Sequence, residues 1–190
     1  MKFLEMFRFE VFYLLRRPST WLYLLFLTGC LYLVLDEMVN YAKTVESVHL
    51  FSPYSIAELF GFANKFGLLI LAGITSETGL RDIQTRFYPL IYTSSVSKKS
   101  YHFARIFAIW LVTGILQMVA VTAITSLASL LVRDVDLGVF HLSAFFDSIL
   151  YLLIPNIFIQ ASLFYGLLLM IRHSFITYIG AMFVFLIGVL

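Results

Sequence analysis

Five stretches of this 190-residue chain are apolar over nearly the length needed to cross a bilayer: 19–35, 56–76, 106–132, 148–171 and 175–190. A spanning helix takes about 20 such residues. Hydrocarbon offers the backbone no partner, so each run has to satisfy its own N–H and C=O groups, and an α-helix does so. Only 13% of the residues are charged, against about 25% in a soluble domain. The pattern predicts an all-α membrane protein with five transmembrane helices in one domain over 1–190. The fifth run is still apolar at Leu190, so the chain is expected to continue beyond it.

The basic residues orient these spans. Lys2, Arg8, Arg16 and Arg17 precede the first run, Arg81, Arg86, Lys98, Lys99 and Arg105 lie between the second and third, and Arg172 follows the fourth. The opposite loops hold only Lys43 and Arg133, beside Asp36, Glu37, Glu46, Asp134 and Asp136. Lysine and arginine accumulate on the cytoplasmic side of short loops, which predicts a cytoplasmic N-terminus.

Within 1–17, Phe3, Leu4, Phe7, Val11, Leu14 and Leu15 fall on one side of a helix, with Lys2, Glu5 and Arg8 opposite. That is the pattern of an amphipathic helix in the membrane interface. Arg16 and Arg17 would anchor it among lipid headgroups, and Pro18 would break it. Glu10 stands on the apolar stripe. It either pairs locally with Arg17 or meets a basic residue of a cytoplasmic loop or a partner chain.

Polar residues inside the spans are the next candidates. Ser55-Ile-Ala-Glu58 has the form of a capping box. Lys65 lies ~13 Å along the second span at 1.5 Å per residue, near mid-bilayer, where a charge costs several kcal/mol. Glu58 and Lys65 share a face, so Lys65 either reaches outward to Glu58 or lines a translocation path or a subunit interface. Thr122, Thr125, Ser126 and Ser129 form a stripe suited to close helix packing. Pro155 should kink the fourth span, with Asn156 and Gln160 bonding to neighbouring helices.

No P-loop, no His-Glu-x-x-His and no paired metal-ligand spacing occur, and Cys30 is the single cysteine. The histidines (His49, His102, His141, His173) are scattered. These absences leave no motif for nucleotide hydrolysis, a zinc site or a disulfide framework, and the basic residues follow the membrane edge rather than a nucleic-acid-binding face.

The stretch 77–105 carries five Lys/Arg against two Asp/Glu and has helical periodicity in Leu80, Ile83, Phe87, Leu90 and Ile91. Glu77–Arg81 and Asp82–Arg86 are i,i+4 pairs in the favoured direction, Pro89 interrupts, and Ser95 or Ser97 can cap the next helix. Either this is a solvated hairpin holding anionic headgroups, or its aromatic side chains dock a partner.

Glu10, Arg16-Arg17-Pro18 and "GLRDIQTRFYPLIYTSSVSKKSYHFAR" together resemble the permease subunit of an ABC-2 type ABC transporter. Members have an interfacial elbow helix, six spans, and a second-to-third loop with an arginine and an acidic residue, a leucine, an (S/T)-P-V-S-(R/K) turn and a basic residue entering span three. Here Arg81, Asp82, Leu90, Ser94-Ser95-Val96-Ser97-Lys98 and Arg105 take those places, with Ser95 where proline is usual. The resemblance implies an elbow helix carrying Glu10, Arg16 and Arg17, and a sixth span missing from this chain. It also implies an ATPase-coupling loop with Arg81, Asp82, Arg86, Phe87, Leu90, Tyr92, Ser97, Lys98 and Lys99. The implied function is an exporter's membrane half in the cytoplasmic (inner) membrane. This chain would bind no cofactor and hydrolyse no ATP. ATP and Mg would sit on a partner ATPase, and a second permease copy or paralogue would complete the path. A secondary transporter or a membrane scaffold or assembly factor is the alternative.

Overall fold

Two of the long helices start at a proline. Pro18 opens a helix that runs to Thr44, and Pro53 opens one that runs to Gln84. Proline suits the first helical position, because the N–H it lacks would have had no intrahelical acceptor there. The computed structural model describes residues 2–45, 49–84, 97–133 and 137–188, and all the regular structure among them is helical. The elements are α1 (Lys2–Leu15), α2 (Pro18–Thr44), α3 (Pro53–Gln84), α4 (Lys98–Leu131), α5 (Leu142–Asp147), a π-helical turn (Ser148–Leu153), α6 (Ile154–Ile171) and α7 (Ser174–Ile187).

Four helical stretches are long and apolar enough to cross a membrane: Pro18–Thr44, Pro53–Arg81, Lys98–Leu131 and Leu142–Ile171. The protein is thus all-helical with the spans of a multi-pass membrane protein. The fifth expected span is different. α7 has 14 residues, or about 21 Å at 1.5 Å per residue, short of the ~30 Å hydrocarbon layer. The other spans exceed their apolar runs. α2 continues through Asp36, Glu37, Asn40 and Lys43, because a helix of 27 residues is about 40 Å long and its last turns can leave the hydrocarbon.

The capping signal is displaced by one turn. Ser52 Oγ accepts the Ser55 N–H at 3.2 Å, so Ser52 is the N-cap of α3. Ser55 Oγ instead donates to His49 C=O, and Glu58 lies half-buried one turn inside the helix. A proline at the first position disfavours helical backbone in the residue before it, which suits a cap there.

At Pro155 the winding of the helix changes. The proline cannot donate to the carbonyl one turn back, and the helix before it is wound as a π turn, in which the Ile154 N–H reaches Ile149 C=O. Asn156 is exposed, and Gln160 Oε1 is buried with no hydrogen bond among the described residues. The expected bonds from these amides to neighbouring helices are therefore not formed.

The chain divides into two compact units. One consists of Met1–Trp21, Leu68–Thr113 and Ile157–Leu190; the other of Leu22–Gly67 and Gly114–Asn156. The core of the first includes Leu14, Leu71, Ile74, Ala104, Ala108, Ile109, Phe164, Tyr165 and Leu168. In the second, Leu27, Leu31, Phe60, Ala63, Ala120, Val121, Ile124 and Ala128 are buried. Phe60 meets Phe145 edge-on at 5.1 Å between ring centroids, and Phe51 meets Phe140 at 5.6 Å, an arrangement that adds to area burial. The Thr122, Ser126 and Ser129 stripe faces outward. Each of these hydroxyls donates to a carbonyl of its own helix, so α4 packs instead on the Val121, Ile124 and Ala128 side.

Candidate functional site

Phe3, Phe7, Glu10 and Leu14 are spaced i, i+4, i+7 and i+11, so α1 turns them to one side. Phe3 packs edge-on against Phe107 of α4, and Leu14 is fully buried. Glu10 must enter the core with that stripe, and it is only 3% exposed. A carboxylate in such surroundings needs ionic and hydrogen-bonding partners.

Two arginines supply them. Arg81, near the end of α3, grips Glu10 with both terminal nitrogens: Nη1 donates to Oε2 at 3.0 Å and Nη2 to Oε1 at 2.5 Å. Arg105, two turns into α4, donates Nε to Oε1 at 3.1 Å. The fork matches carboxylate geometry in a way a lysine could not. Aromatic rings cover the guanidiniums. Arg81 Cζ lies 4.5 Å from the Tyr13 centroid, and Arg105 Cζ lies 4.5 Å from that of Tyr101, within cation–π range.

Arg17, the local partner foreseen for Glu10, goes elsewhere. Its Nη1 donates to Glu77 Oε2 at 2.7 Å and its Nη2 to Tyr13 Oη at 2.5 Å, while Ser19 Oγ donates to the same Glu77 oxygen at 3.1 Å. Desolvation alone would lower the Arg17 pKa, but the bonds to Glu77 and Tyr13 outweigh it and raise it above its usual value. Among the described residues, the three arginines and two carboxylates named here sum to +1. α1 is tied to the start of α2 as well. Thr20 Oγ1 donates to Leu14 C=O and Trp21 Nε1 to Leu15 C=O, satisfying carbonyls that the end of α1 leaves without intrahelical donors.

The same unit holds two further polar contacts. His102 Nδ1 and Tyr165 Oη lie 2.9 Å apart, and the hydroxyls of Ser76 and Thr177 share a hydrogen bond. Gly79 lets Leu168 and Tyr165 approach α3: a Cβ there would stand 2.2 Å from Leu168 Cδ2.

The remaining candidates fall into three groups. Ser97, Lys98 and Lys99 are exposed at the start of α4, and Arg16 is exposed after α1. Two lysines in a first turn oppose the helix dipole, which favours anions there. Arg86, Phe87, Leu90 and Tyr92 lie outside the described residues, as does the side chain of Asp82. Glu58 and Lys65 sit in the other unit and form no ion pair with each other; Lys65 Nζ rests 5.4 Å from the Phe62 ring centroid.

No group of three or more metal-binding side chains gathers among the described residues. What the described residues show is a tie: one carboxylate of α1 bonds to arginines of α3 and α4. Sequence spacing puts Glu10 on the buried stripe, but Arg105 as its partner, 95 positions away, has no local signal. No family model, curated protein or solved structure matches this chain.

Proposed function

We propose that the chain is the membrane-spanning permease subunit of an ATP-driven ABC-2 type transporter, an exporter whose ATP is hydrolysed on a separate ATPase subunit. The observation that carries this reading is the double engagement of Glu10. Arg81 and Arg105 flank the stretch 82–104 on its two sides, and both bond to the same carboxylate of α1. A push on that stretch would be felt by both helices and by α1 together, as a coupling loop requires. In this reading α1 is the interfacial elbow helix. Arg81, Asp82, Arg86, Phe87, Leu90, Tyr92, Ser97, Lys98 and Lys99 form the face that meets the ATPase. A second permease copy or paralogue completes the path, with Glu58 and Lys65 at the path or at the subunit interface.

The test is co-purification with an ATPase encoded beside this chain, together with its hydrolysis rate. Lys98→Glu with Lys99→Glu, and Phe87→Ala with Leu90→Ala, should release the partner. Glu10→Gln should retain it but abolish the permease-dependent change in ATPase rate. Unchanged capture and unchanged rate in all three variants would rule the reading out.

A further inference from the structure

One face of α1 is not used by the core. Leu4, Glu5, Arg8, Val11 and Phe12, with Phe7 at the edge of the buried stripe, line an open groove of about 440 Å3 along α1. Leu4 is 69% and Phe12 48% exposed. An apolar groove of this kind calls for an occupant, and two observations say which.

The first is depth. Trp21 is 59% exposed, and its indole N–H is tied to Leu15 C=O where α1 gives way to the first span. Exposed tryptophan at the end of a span marks the headgroup level, so the C-terminal end of α1 lies there and the groove opens along the same short helix. The second is charge. Arg8 stands on the groove with its Cζ 5.5 Å from the Phe12 ring centroid, and Arg16, also exposed, follows two turns on. Glu5 and Arg8 are the charged residues among those lining the groove and cancel, and Arg16, exposed beyond them, tips the balance of this end of α1 to one positive charge.

We propose that the groove binds one anionic phospholipid, with its phosphate on Arg8 and an acyl chain along Leu4, Val11 and Phe12. The guanidinium gives charge-assisted hydrogen bonds to phosphate, and the apolar wall removes acyl methylenes from water at the interface. This site does not depend on the transporter reading, since it needs only the membrane setting and the geometry of α1.

The test uses the purified full chain in detergent and native mass spectrometry with phosphatidylglycerol or phosphatidylcholine of identical acyl chains. The wild type should retain phosphatidylglycerol several-fold more than phosphatidylcholine. Arg8→Gln should bring the two to the same level, and Arg8→Lys should restore most of the preference. Val11→Trp, which fills the groove, should lower retention of both lipids. Equal retention in the wild type or no effect of Arg8→Gln would overturn the proposal. So would displacement of phosphatidylglycerol by inorganic phosphate, which would mean an anion site without a lipid. A wild-type dimer that dissociates on Val11→Trp would also overturn it, since a second copy would then be the occupant. If Val11→Trp does not fold, the Arg8 series decides alone.

Discussion

Glu10 and Arg105 are 95 positions apart in sequence and meet at 3.1 Å with both side chains almost wholly out of solvent, at 4% and 2% exposure. Removing one member of such a pair leaves the other charge buried, at a cost of about 3–5 kcal/mol. Glu10→Gln should therefore lower the thermal midpoint in detergent more than any single substitution at the cluster's edge. Replacing Glu10, Arg81 and Arg105 together by Leu, Met and Met should recover most of that loss. Failure of the triple variant to exceed Glu10→Gln would show that the ion pairs, not the unpaired charges, carry the effect.

Arg17 and Glu77 are a pair of another kind. Their side chains are 30% and 28% exposed, and partly exposed pairs contribute roughly 0.2–1 kcal/mol. Arg17→Gln should cost no more than about 1 kcal/mol by the same estimate, and the cost should shrink between low and 1 M salt because exposed charges are screened. The raised Arg17 pKa stabilises the fold at every pH below its unfolded value, and that contribution is lost only as pH rises through the folded value, above the working range. Salt is thus the variable that separates this pair from the Glu10 cluster, whose contribution should barely move.

Gly67 is packed against Gln117: a Cβ at that position would lie 2.0 Å from Gln117 Nε2 and 2.8 Å from its Cδ. Overpacking of a filled core costs about 1–3 kcal/mol. Gly67→Ala should destabilise by that order, and adding Gln117→Ala should relieve it, since the obstructing atoms all belong to one side chain. A double-mutant cycle of thermal midpoints measures the coupling. Purely additive midpoints would contradict the contact.

Orientation can be read by labelling. In a Cys30→Ala background, Tyr54→Cys lies at a position 75% exposed just after Pro53, and Ser97→Cys lies at the exposed start of α4. A membrane-impermeant maleimide on intact cells should label Tyr54→Cys and reach Ser97→Cys only after permeabilisation. The reverse pattern would invert the topology that the lysines and arginines predict.

Apolar run length is a local property, and it was enough to foresee an all-helical fold and the four helices long and apolar enough to cross a membrane. Local chemistry also exposed Glu10 as a buried charge in need of a partner, because helical spacing puts it between Phe7 and Leu14. Helix ends were less legible. α2 outruns its apolar stretch by about two turns, and the cap of α3 is Ser52 rather than Ser55. These depend on where each helix leaves the hydrocarbon and on how a proline starts it. The partners of the charges were decided by tertiary structure alone. Arg17 is within reach of Glu10 along the chain yet pairs with Glu77, while Arg81 and Arg105 come from distant helices. A buried carboxylate demands whichever donors the packed helices bring to its oxygens, and spacing along one helix carries no record of what the other helices present.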